Sequence, residues 1–155
     1  MKRQEAFRIA IEAEIRSQNL YKALARSFRN PESAQVFNQL VQYEENHEAK
    51  MREIFAEEFP GSKLHLMDNL DMEMQGVKLE DPRAVLEFAI SREELAQNIY
   101  LKLAEQTPDG STKALLKNFA EEETNHKEVL FTELERIQGL VQWYDPSELD
   151  GFMEG

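Results

Sequence analysis

The chain has 155 residues, and its 30 Asp and Glu against 18 Lys and Arg leave a formal charge of −12. One domain is expected at this length, and so acidic a balance argues against nucleic acid, whose phosphates need a basic face, and against an anionic membrane surface. Cysteine is absent, which excludes disulfides, thiol catalysis, zinc knuckles and any Cys-ligated iron–sulfur or rubredoxin-type centre. No run approaches the roughly 20 apolar residues of a membrane helix, and MKRQEAFRIA lacks the apolar core of a secretion signal. The expectation is a cytoplasmic domain with a solvated acidic surface.

Four helices are expected, over about 4–28, 31–58, 82–106 and 111–140. The first carries Phe7, Ile11, Leu24 and Phe28 at helical spacing. Asn30-Pro31 reads as a cap followed by proline at the first helical position, opening a second helix that carries Phe37, Leu40, Met51 and Phe55. Phe59-Pro60-Gly61 stops it. Asp81-Pro82 starts the third, with Leu86, Ile90 and Leu103, and Thr107-Pro108-Asp109-Gly110 turns the chain into the fourth, with Leu116, Phe119, Leu130 and Leu134. The pattern is expected to fail after Gly139, leaving a bundle over 1–142 and a tail over 143–155. Trp143, Tyr144 and Phe152 of that segment are expected to dock on the bundle or on a neighbouring subunit.

Short links join the first helix to the second and the third to the fourth, which makes two antiparallel hairpins. A crossover over about 59–81 separates them. Its ~22 residues can span about 70 Å when extended, against about 42 Å for a 28-residue helix, so it can run the whole length of an all-α four-helix bundle. Met67, Met72 and Met74 in the crossover read as gap fillers rather than soft-metal ligands. His65, also there, reads as an ordinary surface or packing residue.

Displaced by 79 positions, the sequence lands on itself without a gap. Ala10, Ile11, Glu14, Gln18, Asn19, Tyr21, Leu24 and Ala25 meet Ala89, Ile90, Glu93, Gln97, Asn98, Tyr100, Leu103 and Ala104; Glu44, Asn46 and His47 meet Glu123, Asn125 and His126. The hairpins are duplicated halves. Glu14 and Glu93 interrupt apolar stripes, as do the pairs Glu44/His47 and Glu123/His126. A carboxylate buried unpaired is expensive, and four converging in one core repel each other. Two divalent cations would cancel the four charges.

The spacing suits such a site, because Glu and His at i and i+3 project from one helix face. Depth agrees as well. Glu14 lies 16 residues before Asn30, with Glu44 and His47 14 and 17 after it; Glu93 lies 16 before Asp109, with Glu123 and His126 14 and 17 after it. One Glu from each of two helices plus Glu-x-x-His from each of the other two is a constellation that holds two irons or manganeses in a bundle core.

Tyr21 and Tyr100 follow the helix-one and helix-three glutamates by seven residues. They are either core aromatics whose hydroxyls need a partner or donors to a ligand carboxylate across the bundle. Gln18 and Gln97 either line the open side of the site or bond a neighbouring helix. Glu45, Glu94, Glu121 and Glu122 sit off the stripe and read as solvated, with an iron-attracting patch as the alternative.

On these residues the sequence resembles a rubrerythrin-type member of the ferritin-like superfamily, over nearly all of 5–138. The resemblance rests on Glu14 and Tyr21 in EIRSQNLY, Glu44 and His47 in EENH, Glu93 and Tyr100 in EELAQNIY, and Glu123 and His126 in ETNH. It implies a ferritin-like bundle with a left-handed crossover and two Fe ions, with Mn or Zn as substitutes. Glu44 and Glu123 would bridge the metals, with Glu14, Glu93, His47 and His126 as terminal ligands and Tyr21 and Tyr100 supporting them. The implied activity is oxidation of Fe(II) by peroxide or O₂, as peroxidase or ferroxidase; the alternative is a non-catalytic module for iron sequestration or delivery. A homodimer is the expected assembly. Two departures stand out: rubrerythrins carry a further Glu three residues after the third-helix ligand, where this chain has Ala96 (Ser17 in the other half), and they usually carry a Cys-ligated rubredoxin domain. A peroxidase built this way would need an external electron donor.

Overall fold

The structure is a computed structural model that describes residues 2–28, 30–68, 70 and 81–143, with the backbone alone for 140–143. Among these residues it has four helices and no strand: α1 (Arg3–Ser27), α2 (Pro31–Glu58), α3 (Pro82–Glu105) and α4 (Gly110–Trp143). None is long and apolar enough to cross a membrane. The caps form as the sequence leads one to expect. Asn30 accepts from the Glu32 amide and Asp81 from the Ala84 amide, each ahead of a proline that has no N–H to lose. Asp109 gathers the Thr112 amide and the Ser111 and Thr112 hydroxyls at the start of α4. Gly61, at φ +81°, makes the turn that follows α2.

The end of α4 departs from expectation, since the helix continues past Gly139 to Trp143. A single glycine costs a helix only about 1 kcal/mol, and the residues that follow it, Leu-Val-Gln-Trp, contain no breaker before Pro146. Met72, Met74, Tyr144, Phe152 and the Trp143 side chain lie outside the described residues, as do 69 and 71–80 of the crossover.

The helices α1 and α2 pack along each other, as do α3 and α4, and α1 faces α3, while α2 and α4 touch only lightly. Contacts of Tyr21 with Glu93 and of Tyr100 with Glu14 make α1 and α3 antiparallel. Consequently α2 and α3 run in the same direction, so the end of α2 and the start of α3 lie at opposite ends of the bundle. Two apolar clusters fill the interior. One gathers Phe7, Ile11, Met51, Phe55, Leu103 and Leu116, the other Leu20, Leu24, Phe37, Leu86, Leu130 and Leu134.

Leu64 and Leu66 pack the first part of the crossover onto the former cluster, and a buried carboxylate ties it down. Glu12, 2% exposed, accepts from the Met67 amide at 2.8 Å and from Arg8 Nη1 at 2.9 Å. Glu12→Ala strands the Met67 amide and is expected to lower stability by about 1–3 kcal/mol in urea denaturation, with faster hydrogen exchange at Met67. Unchanged exchange there would show that Glu12 does not hold the segment.

Candidate metal centre

Between the two apolar clusters lies a layer of charge. Glu14 enters it from α1, Glu44 and His47 from α2, Glu93 from α3, and Glu123 and His126 from α4; all six are at most 4% exposed. They form two overlapping groups in which one ligand atom from each residue lies within 4.8 Å of the others. The first is Glu14, Glu44, His47 and Glu123; the second is Glu44, Glu93, Glu123 and His126. Glu44 and Glu123 belong to both, and each group has one terminal Glu and one His of its own. Such an arrangement could hold two adjacent cations, with Glu44 and Glu123 within reach of both.

Both imidazoles present Nδ1 to the layer. His47 Nδ1 lies 2.9 Å from Glu123 Oε1 and 3.7 Å from Glu14 Oε2; His126 Nδ1 lies 2.9 Å from Glu44 Oε1 and 3.5 Å from Glu93 Oε2. The two rings are nearly parallel, 6.1 Å apart. Tyr21 donates to Glu93 Oε1 and Tyr100 to Glu14 Oε1, each reaching from one hairpin to the carboxylate of the other. That leaves Oε2 of Glu14, Glu44, Glu93 and Glu123 buried with no hydrogen-bond partner outside the layer. Buried oxygens of native proteins are almost always satisfied. Four orphaned together, with two imidazole nitrogens beside them, fit hard or borderline divalent cations such as iron, manganese or zinc.

Without cations the layer holds protons instead. Burial, then repulsion from Glu14 and Glu93, pushes Glu44 and Glu123 well above the ordinary carboxylate range. Burial also works against ionisation of Glu93, but Glu123, His126 and Tyr21 around it more than offset that. His126 would lose its proton on burial alone; Glu44 and Glu93 reverse the effect and push it up to about 10. At His47 the same burial is outweighed by Glu14 and Glu122, which raise it. Tyr21 and Tyr100 are held well above 10, by burial first and by the facing carboxylates next, so both remain hydrogen-bond donors.

Other expected residues fall differently. Gln18 donates to Glu48 Oε1 at 2.7 Å and to the Glu44 carbonyl at 3.4 Å, so it bonds the neighbouring helix. Gln97 is half-buried, and Glu45, Glu94 and Glu121 are exposed as expected, Glu94 lying 3.6 Å from Lys127. His65 is exposed and apart from the cluster. Ala96 is packed in the apolar core, so no carboxylate can exchange with a histidine from that position. Glu122 corrects the sequence reading. It is not merely solvated: it bonds Nε2 of His47, the ring nitrogen that points away from the cluster. A carboxylate in that place fixes the orientation of a ligand imidazole and raises its basicity. Its signal in the sequence was a break in the repeat, because the position matching Glu122 is Tyr43.

A four-helix bundle with duplicated hairpins and a buried carboxylate–histidine layer defines the class: a ferritin-like bundle with a site that could hold two metal ions. The rubrerythrin family model matches residues 5–76 and 84–149, and the chain belongs to that family. Two solved structures are similar. A hypothetical protein from Pyrococcus furiosus shares 27% identity over 94% of each chain, with a TM-score of 0.79. An uncharacterised conserved protein from Magnetospirillum magnetotacticum, 20% identical over 88% of this chain and 95% of its own, has a TM-score of 0.66 and shares the fold. No curated protein matches the chain.

The protonated layer sets the direction of pH dependence. His126 stabilises the metal-free fold fully below about 6.5, and that contribution is lost as pH climbs towards about 10. Glu44 and Glu123 act in the same sense, keeping protons that the unfolded chain releases above about 4.5. The melting temperature of metal-free protein is therefore expected to fall between pH 6.5 and 10. Saturating Zn(II), if held by the cluster, would displace the protons, and its stabilising effect should grow over the same range. A metal-free melting temperature that rises with pH would contradict the buried proton store.

Proposed function

We propose that the chain is a non-haem di-iron protein that oxidises Fe(II) with peroxide or O₂, using a six-residue ligand set. The observation that carries this reading is the quartet of orphaned buried carboxylate oxygens, shared as two four-residue groups around Glu44 and Glu123. On this reading Glu14 and His47 serve one position, Glu93 and His126 the other, and Glu44 and Glu123 bridge them. When bound, a pair of Fe(II) ions supplies the two electrons that cleave an O–O bond.

The protein's part is positioning and charge. The four carboxylates neutralise the charge of two divalent ions. Tyr21 and Tyr100 pin one oxygen of Glu93 and one of Glu14, which leaves the other oxygen of each aimed into the cluster. Glu122 holds His47 with Nδ1 inward. The apolar clusters above and below shield the layer from water along the bundle, which strengthens the electrostatic contacts of its buried carboxylates. On loading, Glu44, Glu123 and the histidines give up the protons they hold in the metal-free protein.

With no cysteine in the chain, electrons for repeated peroxide reduction come from an external donor. A cytoplasmic setting, where Fe(II) is at hand, belongs to the proposal. So does a homodimer, for which exposed Leu95, Leu101 and Phe131 offer apolar surface.

Anaerobic Fe(II) titration is expected to saturate near two ions per chain, and mixing with H₂O₂ in the presence of a reductant to give repeated oxidation cycles. Glu44→Ala and Glu123→Ala should abolish paired binding, whereas His65→Ala should retain it. Equal loss in all three variants would contradict the assignment. One oxidation event without recycling would move the protein to the iron-sequestering alternative.

A further inference from the structure

The two halves of the centre are matched in their ligands but not in what covers them. On one side the Phe119 ring stacks on His47, with centroids 4.2 Å apart and planes at 25°, and Glu122 occupies the outer nitrogen of the same ring. The repeat places Leu40 where Phe119 stands and Tyr43 where Glu122 stands. Leucine lacks the ring that would cover His126. Tyr43, half exposed, lies tilted beside His126 with ring centroids 5.2 Å apart and makes no match for the carboxylate. The result is a cavity of about 470 Å³ in the lightly packed seam between α2 and α4, reaching from the surface to His126. Val36, Leu40, Val129 and Tyr43 form its apolar walls, and Glu122 and His126 are two of the four polar residues that line it.

This half-open cavity has room for more than a small oxidant. Hydrogen peroxide is close to water in size, and one water accounts for about 30 Å³ of liquid. A space of 470 Å³ falls in the range of pockets that enclose organic ligands, about 300–1,000 Å³, with mostly apolar walls and a few polar groups. We infer that it binds an alkyl or aryl hydroperoxide, the hydrocarbon part against Val36, Leu40, Val129 and Tyr43 and the peroxide end directed past His126 to the cluster. The inference rests on the proposed iron centre and specifies its substrate class. The O–O bond breaks and the hydroperoxide is reduced by two electrons, one from each of two Fe(II), which become Fe(III). Two protons from solvent complete the products, an alcohol and water. Each methylene sheltered by the walls raises affinity about fourfold, so a hydrocarbon tail should favour organic hydroperoxides over H₂O₂.

The test uses the full chain and two cavity-filling substitutions. Leu40→Phe copies the other half of the repeat, and Val129→Trp fills the cavity from its exposed rim, where overpacking of the core is avoided. Binding is read without turnover, by methyl NMR of Zn(II)-loaded protein titrated with cumyl alcohol, the product of cumene hydroperoxide. Val36 and Val129 methyl signals should shift in the natural chain, and the Val36 shift should be lost in Val129→Trp. Fe(II)-loaded protein should then show a preference for cumene hydroperoxide over H₂O₂ that drops about tenfold or more in both variants. No shift at Val36, or an unchanged preference in a folded Val129→Trp protein, would overturn the cavity assignment even where H₂O₂ oxidises the iron. Failure to bind paired iron at all would instead overturn the centre on which it rests.

Discussion

Four glutamates meet in the middle of this bundle, and the mutual repulsion and desolvation of their carboxylates is the constraint around which the other features are arranged. Each ion taken out of water costs several kcal/mol even after relaxation, and the layer they occupy displaces apolar packing from the bundle's centre. What surrounds them limits that cost. Two tyrosines satisfy one oxygen each of Glu14 and Glu93, two imidazoles stand against the shared pair Glu44 and Glu123, and protons remain on groups that would shed them in water. Apolar clusters above and below bury the side chains that offset the rest of the cost. A centre that is costly without cations and neutral with two of them is the usual bargain of a functional site, where stability is surrendered locally and recovered elsewhere.

Duplication accounts for the ligand symmetry, and its exceptions give the two positions different surroundings. All six cluster residues and the two tyrosines that bond them are repeated at a displacement of 79. The pairs that differ, Leu40 with Phe119 and Tyr43 with Glu122, lie just outside it. His47 is thereby stacked and hydrogen-bonded, while His126 borders an open cavity. One half is sealed and the other borders a cavity, although the two hairpins are copies of one duplicated helix pair.

Much of this was legible in the sequence because its signals were periodic and redundant. Helix boundaries followed proline and cap residues whose effect is local, as at Asn30-Pro31 and Asp81-Pro82. The six cluster residues showed as polar interruptions of apolar stripes, duplicated at one offset and matched in depth. Glu12 and Glu122 were less accessible, since each acts through a partner distant in sequence: Glu12 through the Met67 amide of the crossover, Glu122 through His47 on another helix. Neither partner is implied by periodicity, and both residues sit among many solvated glutamates. The cavity was hidden for a related reason, because a missing ring at Leu40 becomes a void only once α2 and α4 are seen to pack loosely.

The most direct measurement is anomalous X-ray scattering from crystals grown and loaded with Fe(II) under anaerobic conditions. Two peaks are expected about 3.5–4 Å apart, one beside Glu14 and His47, the other beside Glu93 and His126, with Glu44 and Glu123 touching both. A single peak, or peaks only among surface carboxylates such as Glu45 and Glu121, would contradict the paired centre.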